Sequence, residues 1–192
     1  RLIEDERSLF VEDLGSGSAF FRANSARTIR DIARTSISPR KYSNLYLRII
    51  KEYNYTTIIE LGASLGLNTL YLAASPSSQV TTFEGAEGVA RIAEELFNLA
   101  AVQNIRMVRG NIDVSLPKEL KAINIVDFAL IDANHRYEPT LNYFDLLASK
   151  VTPKSMVVLD DIHVSRDMEQ AWTAIQKDAR VWATADLYRC GL

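Results

Sequence analysis

Residues 57–71, with the sequence TIIELGASLGLNTLY, constrain the fold of this chain more than any other stretch. A short β-branched run ends at Glu60, two glycines follow at Gly62 and Gly66, and an apolar stretch with helical spacing begins after them. This order predicts a strand, a tight turn and the start of a helix. Glycines let the backbone approach a ligand closely, and the unpaired N–H groups of a first helical turn favour an anionic group. The stretch therefore predicts a nucleotide-binding corner.

Apolar runs and amphipathic runs alternate after this corner, with short connections between them. The runs that predict strands are residues 57–61, 80–83, 105–108, 126–131 and 156–159. The runs that predict helices are residues 67–74, 87–101, 139–150 and 166–178. The strand runs are apolar almost throughout, as expected when helices cover both faces of a sheet. The pattern therefore predicts an α/β fold, a doubly wound, Rossmann-like and mostly parallel sheet.

Length and charge limit the domain organisation and the partners. A chain of 192 residues, 47% of them hydrophobic, is long enough for one substantial core and too short for two ordinary domains. We expect an N-terminal extension at residues 1–54 and a ligand-binding core at residues 55–192. The formal net charge of −2 gives no electrostatic case for nucleic acid or an anionic membrane, and no apolar run approaches the length of a membrane span. The single cysteine, Cys190, excludes an internal disulfide, so we expect a reducing, cytoplasmic location.

The two ends of the chain are less regular. Helical spacing at residues 25–35 and 39–53 predicts two helices that pack on the sheet or roof the site, and residues 181–187 predict a sixth strand. A second glycine-rich segment at residues 9–18 precedes no amphipathic helix, so the nucleotide role is disfavoured there. Two interpretations stay open for it. It is a turn-rich segment, or it is a lid that faces an anionic substrate group through Arg22, Arg27 and Arg30.

The residues around the first glycine loop narrow the choice of ligand. A triphosphate loop needs Gly-Lys-Ser or Gly-Lys-Thr at its end, whereas this loop has Gly-Leu-Asn, and the spacing of its glycines differs from Gly-x-Gly-x-x-Gly. Glu60 would repel a pyrophosphate and could receive an ammonium group. Glu84 ends the second predicted strand, where a carboxylate can accept hydrogen bonds from both hydroxyls of a ribose. The loop therefore favours a nucleoside ligand that carries an amino group.

The segment ELGASLGLN resembles the first motif of class I S-adenosylmethionine-dependent methyltransferases, and is particularly similar to that of the catechol and caffeoyl-CoA O-methyltransferase group. The resemblance covers roughly residues 57–164. It implies that Glu60 helps to hold the methionine ammonium, that Ser64 and Asn68 contact its carboxylate, and that Glu84 contacts the ribose. The full set of cofactor contacts that it implies is Glu60, Gly62, Ala63, Ser64, Gly66, Asn68, Glu84, Gly85, Asn111, Ile112, Asp113 and Asp132. The sheet of this family closes with an extra antiparallel strand, which residues 188–192 are too few to supply fully, so we expect an incomplete C-terminal strand.

Carboxylates also follow two neighbouring predicted strands. Asp132 comes after the fourth strand, and Asp160 and Asp161 come after the fifth. Adjacent parallel strands place these side chains at one sheet edge, where a hard divalent cation would relieve their repulsion. The resemblance agrees, because metal-dependent members of the group use an Asp and an Asp-Asn pair at these places, although Asp161 replaces the amide. The alternatives are that Asp161 caps the following turn or pairs with Arg136.

Two histidines lie near this edge. His135 follows Asp132 by three positions and could act as a base near neutral pH, whereas His163 could be a supporting group, a metal ligand or a solvated loop residue. Tyr137 is a weaker candidate. We therefore expect a methyltransferase that uses S-adenosylmethionine, with His135 and Asp132 as catalytic residues and Asp132, Asp160 and Asp161 as ligands of Mg²⁺, Ca²⁺ or Mn²⁺.

The expected acceptor is an oxygen of a small molecule, and a homodimer stays open. The alternatives are a metal-independent or nitrogen-directed methyltransferase and a cofactor-binding module without catalysis. A dehydrogenase that uses NAD is disfavoured by Glu60 and by the glycine spacing.

Overall fold

The computed structural model describes residues 2–12 and 25–192. The segment 13–18 and Arg22, on which the lid interpretation partly rests, lie outside the described residues. The chain begins with a short 3-10 helix at Leu2–Glu4. The strands are β1 (Ser8–Val11), β2 (Ser25–Thr28), β3 (Thr57–Leu61), β4 (Gln79–Glu84), β5 (Ile105–Arg109), β6 (Phe128–Ile131), β7 (Met156–Asp160) and β8 (Cys190–Gly191). The helices are α1 (Ile29–Ser36), α2 (Arg40–Glu52), α3 (Leu67–Leu72), α4 (Glu87–Leu99), α5 (Ile112–Glu119), α6 (Tyr137–Ala148) and α7 (Arg166–Gln176).

The central sheet has the strand order β5-β4-β3-β6-β7-β8. Neighbouring strands from β5 to β7 are parallel, and β8 is antiparallel to β7. The chain leaves β3 for β4 on one side and returns to β6 on the other, so the strand order reverses between β3 and β6. Ligands bind at such a switch point in open α/β sheets. The predicted fold class, a doubly wound and mostly parallel sheet, is confirmed.

Two apolar layers cover the two faces of the sheet. Ile58 of β3 packs in one layer with Tyr46 and Ile50 of α2, whereas the next residue, Ile59, packs in the other layer with residues of α5, α6 and α7. Successive side chains of a strand point to opposite faces, so an apolar run is required wherever both faces are covered. The five strands of the predicted core are therefore all present, β3 with the predicted bounds and the other four with bounds that differ by one or two residues.

The N-terminal region departs from the prediction of one helix over residues 25–35. Its first four residues form β2, which pairs with β1 in antiparallel register, and α1 begins only after Thr28. The Thr28 side chain caps that helix by accepting a hydrogen bond from the Asp31 N–H at 3.1 Å. Leu9 and Val11 of β1 pack in a third apolar cluster with residues of α1 and α4. The strand forms because pairing with β1 satisfies backbone groups that helical spacing alone does not reveal.

Two further predictions were wrong or incomplete. Residues 181–187 do not form a strand, and the edge of the sheet is supplied instead by Cys190–Gly191, which pair with Asp160 and Leu159 of β7. Gly191 lies against the ring of Trp172, where a Cβ atom would come within 2.5 Å of a ring carbon. The helix α5 was not predicted, because it is short and contains Pro117. No helix within the described residues is long and apolar enough to cross a membrane.

Candidate active site

A cavity of about 240 Å³ lies at the carboxyl edge of the sheet, beside the turn that follows β3. One wall consists of this turn and the start of α3, and the other consists of the segment that links α1 to α2. Its lining residues are Ser36, Ile37, Ser38, Arg40, Ser43, Gly62, Ala63, Ser64, Leu65, Leu67, Asn68, Tyr71 and Asp132. The prediction that the helices before the sheet adjoin the site therefore agrees with the structure.

Glu60, at the centre of the first motif, is completely buried and is not one of the residues that line this cavity. Its Oε2 accepts hydrogen bonds from the hydroxyls of Thr69 at 2.5 Å and Thr82 at 2.6 Å, and its Oε1 accepts one from the Asn68 amide at 3.0 Å. Burial raises the pKa of Glu60 to about 7, although these three donors oppose the rise. Because Glu60 is completely buried and does not line the cavity, this arrangement leaves it to act on a ligand through Asn68.

Asn68 connects this buried carboxylate to the cavity. Its amide nitrogen is used by Glu60, whereas its Oδ1 is buried and has no hydrogen-bond partner among the described residues. An unpaired buried acceptor is costly, and a ligand that donates a hydrogen bond would remove the cost. Asn68, a lining residue of the cavity, therefore carries an unpaired acceptor that suits a ligand N–H or O–H group.

Close approach of the backbone explains both glycines of the turn. Gly62 and Gly66 have φ values of 97° and 78°, which favour glycine. A Cβ atom at Gly62 would lie 2.1 Å from the carbonyl oxygen of Asp132, and one at Gly66 would lie 2.5 Å from the ring of Phe97. Gly62 thus lets the ends of β3 and β6 meet at the cavity wall. Ala63, between the glycines, is buried and also lines the cavity.

Glu84 ends β4 and fixes the same turn from the other side. Its Oε2 accepts a hydrogen bond from the Ser64 N–H at 2.8 Å, and its Oε1 accepts one from the Ala86 N–H at 2.9 Å. Ser64 adopts a left-handed φ of 47°, a conformation that this hydrogen bond helps to hold. Burial raises the pKa of Glu84, whereas the N–H groups of Ala86, Ser64 and Gly85 oppose the rise. Each carboxylate oxygen can accept a further hydrogen bond, so Glu84 remains available to a ribose.

The three residues predicted to flank an adenine lie at the start of α5, outside the lining of the described cavity. Asn111 caps this helix by accepting a hydrogen bond from the Asp113 N–H at 2.8 Å. Asp113 accepts a hydrogen bond of 2.7 Å from the Tyr143 hydroxyl, and Ile112 is buried. Their role toward a ligand stays a prediction.

Asp132 and His135 form a pair next to the cavity. Asp132 lines the cavity, and its Oδ1 lies 3.4 Å from Nε2 of His135. Burial works against a charge on His135, but the hydrogen bond and the charge of Asp132, with the charges of Asp161 and Asp160, raise its pKa. Its Nδ1 is buried and has no hydrogen-bond partner among the described residues. His135 and its neighbour Asn134 have left-handed φ values of 40° and 67°, so the turn after β6 is strained at this pair.

Asp160 and Asp161 share a basic partner, Arg189, which the sequence did not reveal. The Nη2 atom of Arg189 lies 3.0 Å from Oδ2 of Asp160 and 3.3 Å from Oδ1 of Asp161. Burial, followed by the charge of Asp132, raises the pKa of Asp160 to about 7, although Arg189 opposes the rise. The alternative partner that the sequence suggested for Asp161, Arg136, donates its Nε–H to Asn134 at 2.7 Å.

The remaining candidates lie away from this pair. His163 Nε2 is 2.8 Å from Oδ2 of Asp186, and its Nδ1 is 3.6 Å from Oε1 of Glu169. Tyr137 begins α6. Arg30, a candidate of the lid interpretation, pairs with Glu6 and does not line the cavity.

A family model described as a methyltransferase domain matches residues 59–162, which include the glycine turn, Glu84 and the Asp132 and His135 pair. The chain belongs to this methyltransferase family. The resemblance to class I S-adenosylmethionine-dependent methyltransferases is thereby confirmed. Comparison with curated proteins gives no significant match.

Solved methyltransferases share this fold. An O-methyltransferase from Bacillus cereus, in complex with S-adenosylhomocysteine (SAH), is 19% identical, with a TM-score of 0.66 over 78% of this chain and 76% of that chain. TomG from Streptomyces achromogenes, an O-methyltransferase of tomaymycin synthesis in complex with S-adenosylmethionine, is 16% identical, with a TM-score of 0.67 over 78% and 76% of the two chains. SAH-bound PaMTH1 from Podospora anserina is 12% identical, with a TM-score of 0.69 over 81% and 77%.

The described residues of this methyltransferase fit an S-adenosylmethionine molecule in the cavity. The unpaired Oδ1 of Asn68 suits the amino group of the methionine moiety. Glu84 and Gly85 lie outside the lining of the cavity, next to the same turn, and the free acceptor sites of Glu84 suit the ribose. The turn of Gly62 and Ala63 brings the backbone to the cavity wall without a bulky side chain. These three features account for the ligand class that the sequence favours.

The same test fails for the predicted metal. Within residues 2–12 and 25–192, no group of three or more His, Cys, Asp or Glu side chains could hold a metal ion. The three predicted ligands are Asp132, Asp160 and Asp161, and the guanidinium of Arg189 contacts the last two. As they are arranged in this structure, the three carboxylates do not form a set that suits a divalent cation, and the Mg²⁺, Ca²⁺ or Mn²⁺ site stays a prediction. Arg189 was missed because it follows no motif and reaches the site only through the pairing of β8 with β7.

Proposed function

We propose that this methyltransferase moves the methyl group of S-adenosylmethionine to a hydroxyl oxygen of a small-molecule acceptor. The observation that carries the proposal is the Asp132 and His135 pair. Asp132 lines the cavity, and Nε2 of His135, a titratable base, lies 3.4 Å from Oδ1 of Asp132. The fold shared with O-methyltransferases from Bacillus cereus and Streptomyces achromogenes supports an oxygen acceptor. The complexes of those two proteins support the choice of cofactor.

Several residues would hold the cofactor. Asn68 would accept a hydrogen bond from the amino group, and Glu60 would orient Asn68 from below through their 3.0 Å hydrogen bond. Glu84 would accept hydrogen bonds from the ribose while its own hydrogen bond to Ser64 keeps the turn in place. The resemblance assigns the adenine to Asn111, Ile112 and Asp113.

The chain's own contribution to the reaction is alignment and proton removal. S-adenosylmethionine supplies a methyl group on a positively charged sulfur, so the carbon–sulfur bond breaks as the acceptor oxygen bonds to that carbon. His135 takes the proton that the acceptor hydroxyl loses. Its Nδ1 would be the accepting nitrogen, because Nε2 faces Asp132 and Nδ1 is buried without a hydrogen-bond partner among the described residues. The Asp132 carboxylate stabilises the imidazolium that results.

The acceptor would enter from the segment that links α1 to α2. The lining residues of this wall include three serines and one arginine, Ser36, Ser38, Ser43 and Arg40. Such groups donate hydrogen bonds to oxygen atoms, so they suit a polar small molecule. The net charge of −2 gives no general attraction for a nucleic acid acceptor.

The experiment combines cofactor binding with methyl transfer from labelled S-adenosylmethionine to a panel of hydroxylated small molecules and matched amines. We expect SAH to bind and NAD not to bind, and the label to move to oxygen in the best substrate. His135→Gln should retain SAH binding and lose turnover by about 10²-fold or more, as expected when a general base is removed. The proposal fails if SAH does not bind, if the label reaches only amines, or if His135→Gln keeps full turnover.

A further inference from the structure

We propose that the guanidinium of Arg189 is the resident cation of the acidic cluster, and that this methyltransferase therefore works without a divalent metal. The cluster consists of Asp132 after β6 and of Asp160 and Asp161 at the end of β7. The inference rests on the proposed function, because it concerns which positive charge accompanies the carboxylates beside the acceptor site. Its evidence and its test do not depend on the identity of the acceptor.

The position of one nitrogen atom carries the inference. Nη2 of Arg189 is 3.0 Å from Asp160 and 3.3 Å from Asp161, so a single positively charged group bridges two carboxylates. A divalent cation that used these same two oxygen atoms would require the same place, since its ligands must converge on it at shorter distances than these. The guanidinium and a cation therefore exclude each other at Oδ2 of Asp160 and Oδ1 of Asp161, whereas Oδ1 of Asp160 is buried and has no hydrogen-bond partner among the described residues.

Burial makes this bridge more than a surface ion pair. The Asp160 side chain is 2% exposed and that of Asp161 is 28% exposed, whereas exposed pairs are largely screened by solvent. A buried carboxylate that is ionised and has no cationic partner is strongly destabilising, so ionised Asp160 requires Arg189 or a substitute for it.

The backbone holds Arg189 at this place. Asp160 is the register partner of Cys190, so the pairing of β8 with β7 sets the adjacent Arg189 beside the end of β7. The Arg189 carbonyl accepts a hydrogen bond from the Ile162 N–H at 3.1 Å, and its own N–H donates to the Leu187 carbonyl at 2.9 Å. The preceding residue, Tyr188, has a left-handed φ of 68°, which turns the chain into this position. The guanidinium is thus presented by a defined turn and a strand.

Arg189 offsets one of the three carboxylate charges of the cluster, and His135 offsets a second one when it is protonated. Asp132 is paired with His135, and Asp160 and Asp161 are paired with Arg189. A divalent cation would have to displace a basic side chain that hydrogen bonds directly to Asp160. The acceptor hydroxyl would consequently lose its proton to His135 alone, which makes Arg189 a positioning residue for the carboxylates around that base.

The test uses Mn²⁺ as the probe, with its uptake followed by electron paramagnetic resonance and its effect on the melting temperature measured in parallel. The variants are Arg189→Met, which keeps the aliphatic stem, Arg189→Lys, which keeps the charge, Asp160→Asn alone, and Arg189→Met with Asp160→Asn. The matched control is Arg180→Ala, which removes another arginine that pairs with two aspartates, Asp145 and Asp178, away from the cluster.

We expect the wild-type protein, Arg189→Lys and Arg180→Ala to take up no Mn²⁺ at this cluster and to show no shift in melting temperature. Arg189→Met should bind Mn²⁺ at least about tenfold more tightly, because loss of the guanidinium leaves the carboxylate oxygens free to bind another cation. Adding Asp160→Asn to this variant should abolish that gain. Uptake of one Mn²⁺ by the wild-type protein that Asp160→Asn removes would overturn the proposal, even if Arg189→Met does not fold. A folded Arg189→Met protein with no gain would overturn it too. SAH binding, measured on the same preparations, tests the proposed function separately.

Discussion

Glu60 and Thr82 are register partners on the neighbouring parallel strands β3 and β4, and the Thr82 hydroxyl donates a 2.6 Å hydrogen bond to the Glu60 carboxylate. Both residues are completely buried. Together with Thr69 and Asn68, Thr82 surrounds an acid that has no basic side chain among its hydrogen-bond partners. The acid of the first motif is therefore part of the hydrogen-bonded interior of the methyltransferase, and its protonation affects the stability of the fold.

Glu60→Gln should weaken the pH dependence of stability. The folded protein holds the Glu60 proton up to a pKa of about 7, whereas the unfolded chain releases it near the usual value of 4.5. The folded state binds more protons between these values, so the stability contributed by Glu60 is complete below about pH 4.5 and is lost as the pH rises to about 7. The loss is on the order of 3 kcal/mol for a shift of this size.

Denaturant unfolding at several pH values between these limits measures the effect. The free energy of unfolding of Glu60→Gln should fall less over this window than that of the wild-type protein. Exposed Glu52→Gln is the control and should follow the wild-type curve. A residual slope is expected from Asp160, whose pKa is also raised to about 7 by burial. Equal slopes for Glu60→Gln and Glu52→Gln would contradict the burial argument.

The sheet was predictable because its strands obey a local rule. Each central strand is buried on both faces, so its apolar run is visible without knowledge of its neighbours. The pairing of β1 with β2 was not predictable in this way, since it depends on contacts between two short segments, of which Ser25–Thr28 has no continuous apolar run of its own. Helix α5 was hidden by Pro117, whose ring normally interrupts a helix at an interior position.

The cofactor side of the site was more predictable than the acidic side. The glycines and Glu84 follow strands whose order was recognised, so their place at the sheet edge followed from the topology. Two relationships could not be read from the sequence. Glu60 is enclosed by hydroxyls from α3 and β4, and Arg189 reaches Asp160 only because a two-residue strand returns to the sheet.

Gly62→Ala should destabilise the fold far more than Gly110→Ala. Both glycines have left-handed φ values, 97° and 101°, so both substitutions carry a backbone cost of about 1–2 kcal/mol. Only at Gly62 does the new Cβ meet backbone, 2.1 Å from the Asp132 carbonyl oxygen, whereas nothing lies within 4 Å at Gly110. We expect a total loss of about 3 kcal/mol or more for Gly62→Ala in denaturant unfolding. Similar losses for the two variants would show that β3 and β6 do not meet so closely.

Asn68→Leu should weaken SAH binding, whereas Thr69→Val should not. Each variant removes one hydrogen bond to Glu60, so each should lose about 1–2 kcal/mol of stability. Asn68 also lines the cavity with an unpaired Oδ1, and Thr69 does not line it. Calorimetry should therefore show an affinity about tenfold lower for Asn68→Leu, which corresponds to one lost hydrogen bond of about 1.4 kcal/mol. Equal losses of affinity in both variants would mean that the effect comes from Glu60 and not from contact with the ligand.

Asp132→Asn should lower the pKa of His135, because the hydrogen bond and the charge of Asp132 counteract the effect of burial. The sequence contains two histidines, so nuclear magnetic resonance can follow both titrations in one experiment. His163 serves as the internal control, since its pKa is raised by Asp186 and not by Asp132. A base must be neutral to accept a proton, so turnover should rise with pH through the pKa of His135, and this rise should move to lower pH in Asp132→Asn. An unchanged pKa of His135 in Asp132→Asn would show that the two side chains do not interact. The proposed oxygen-directed catalysis would then lose its main support.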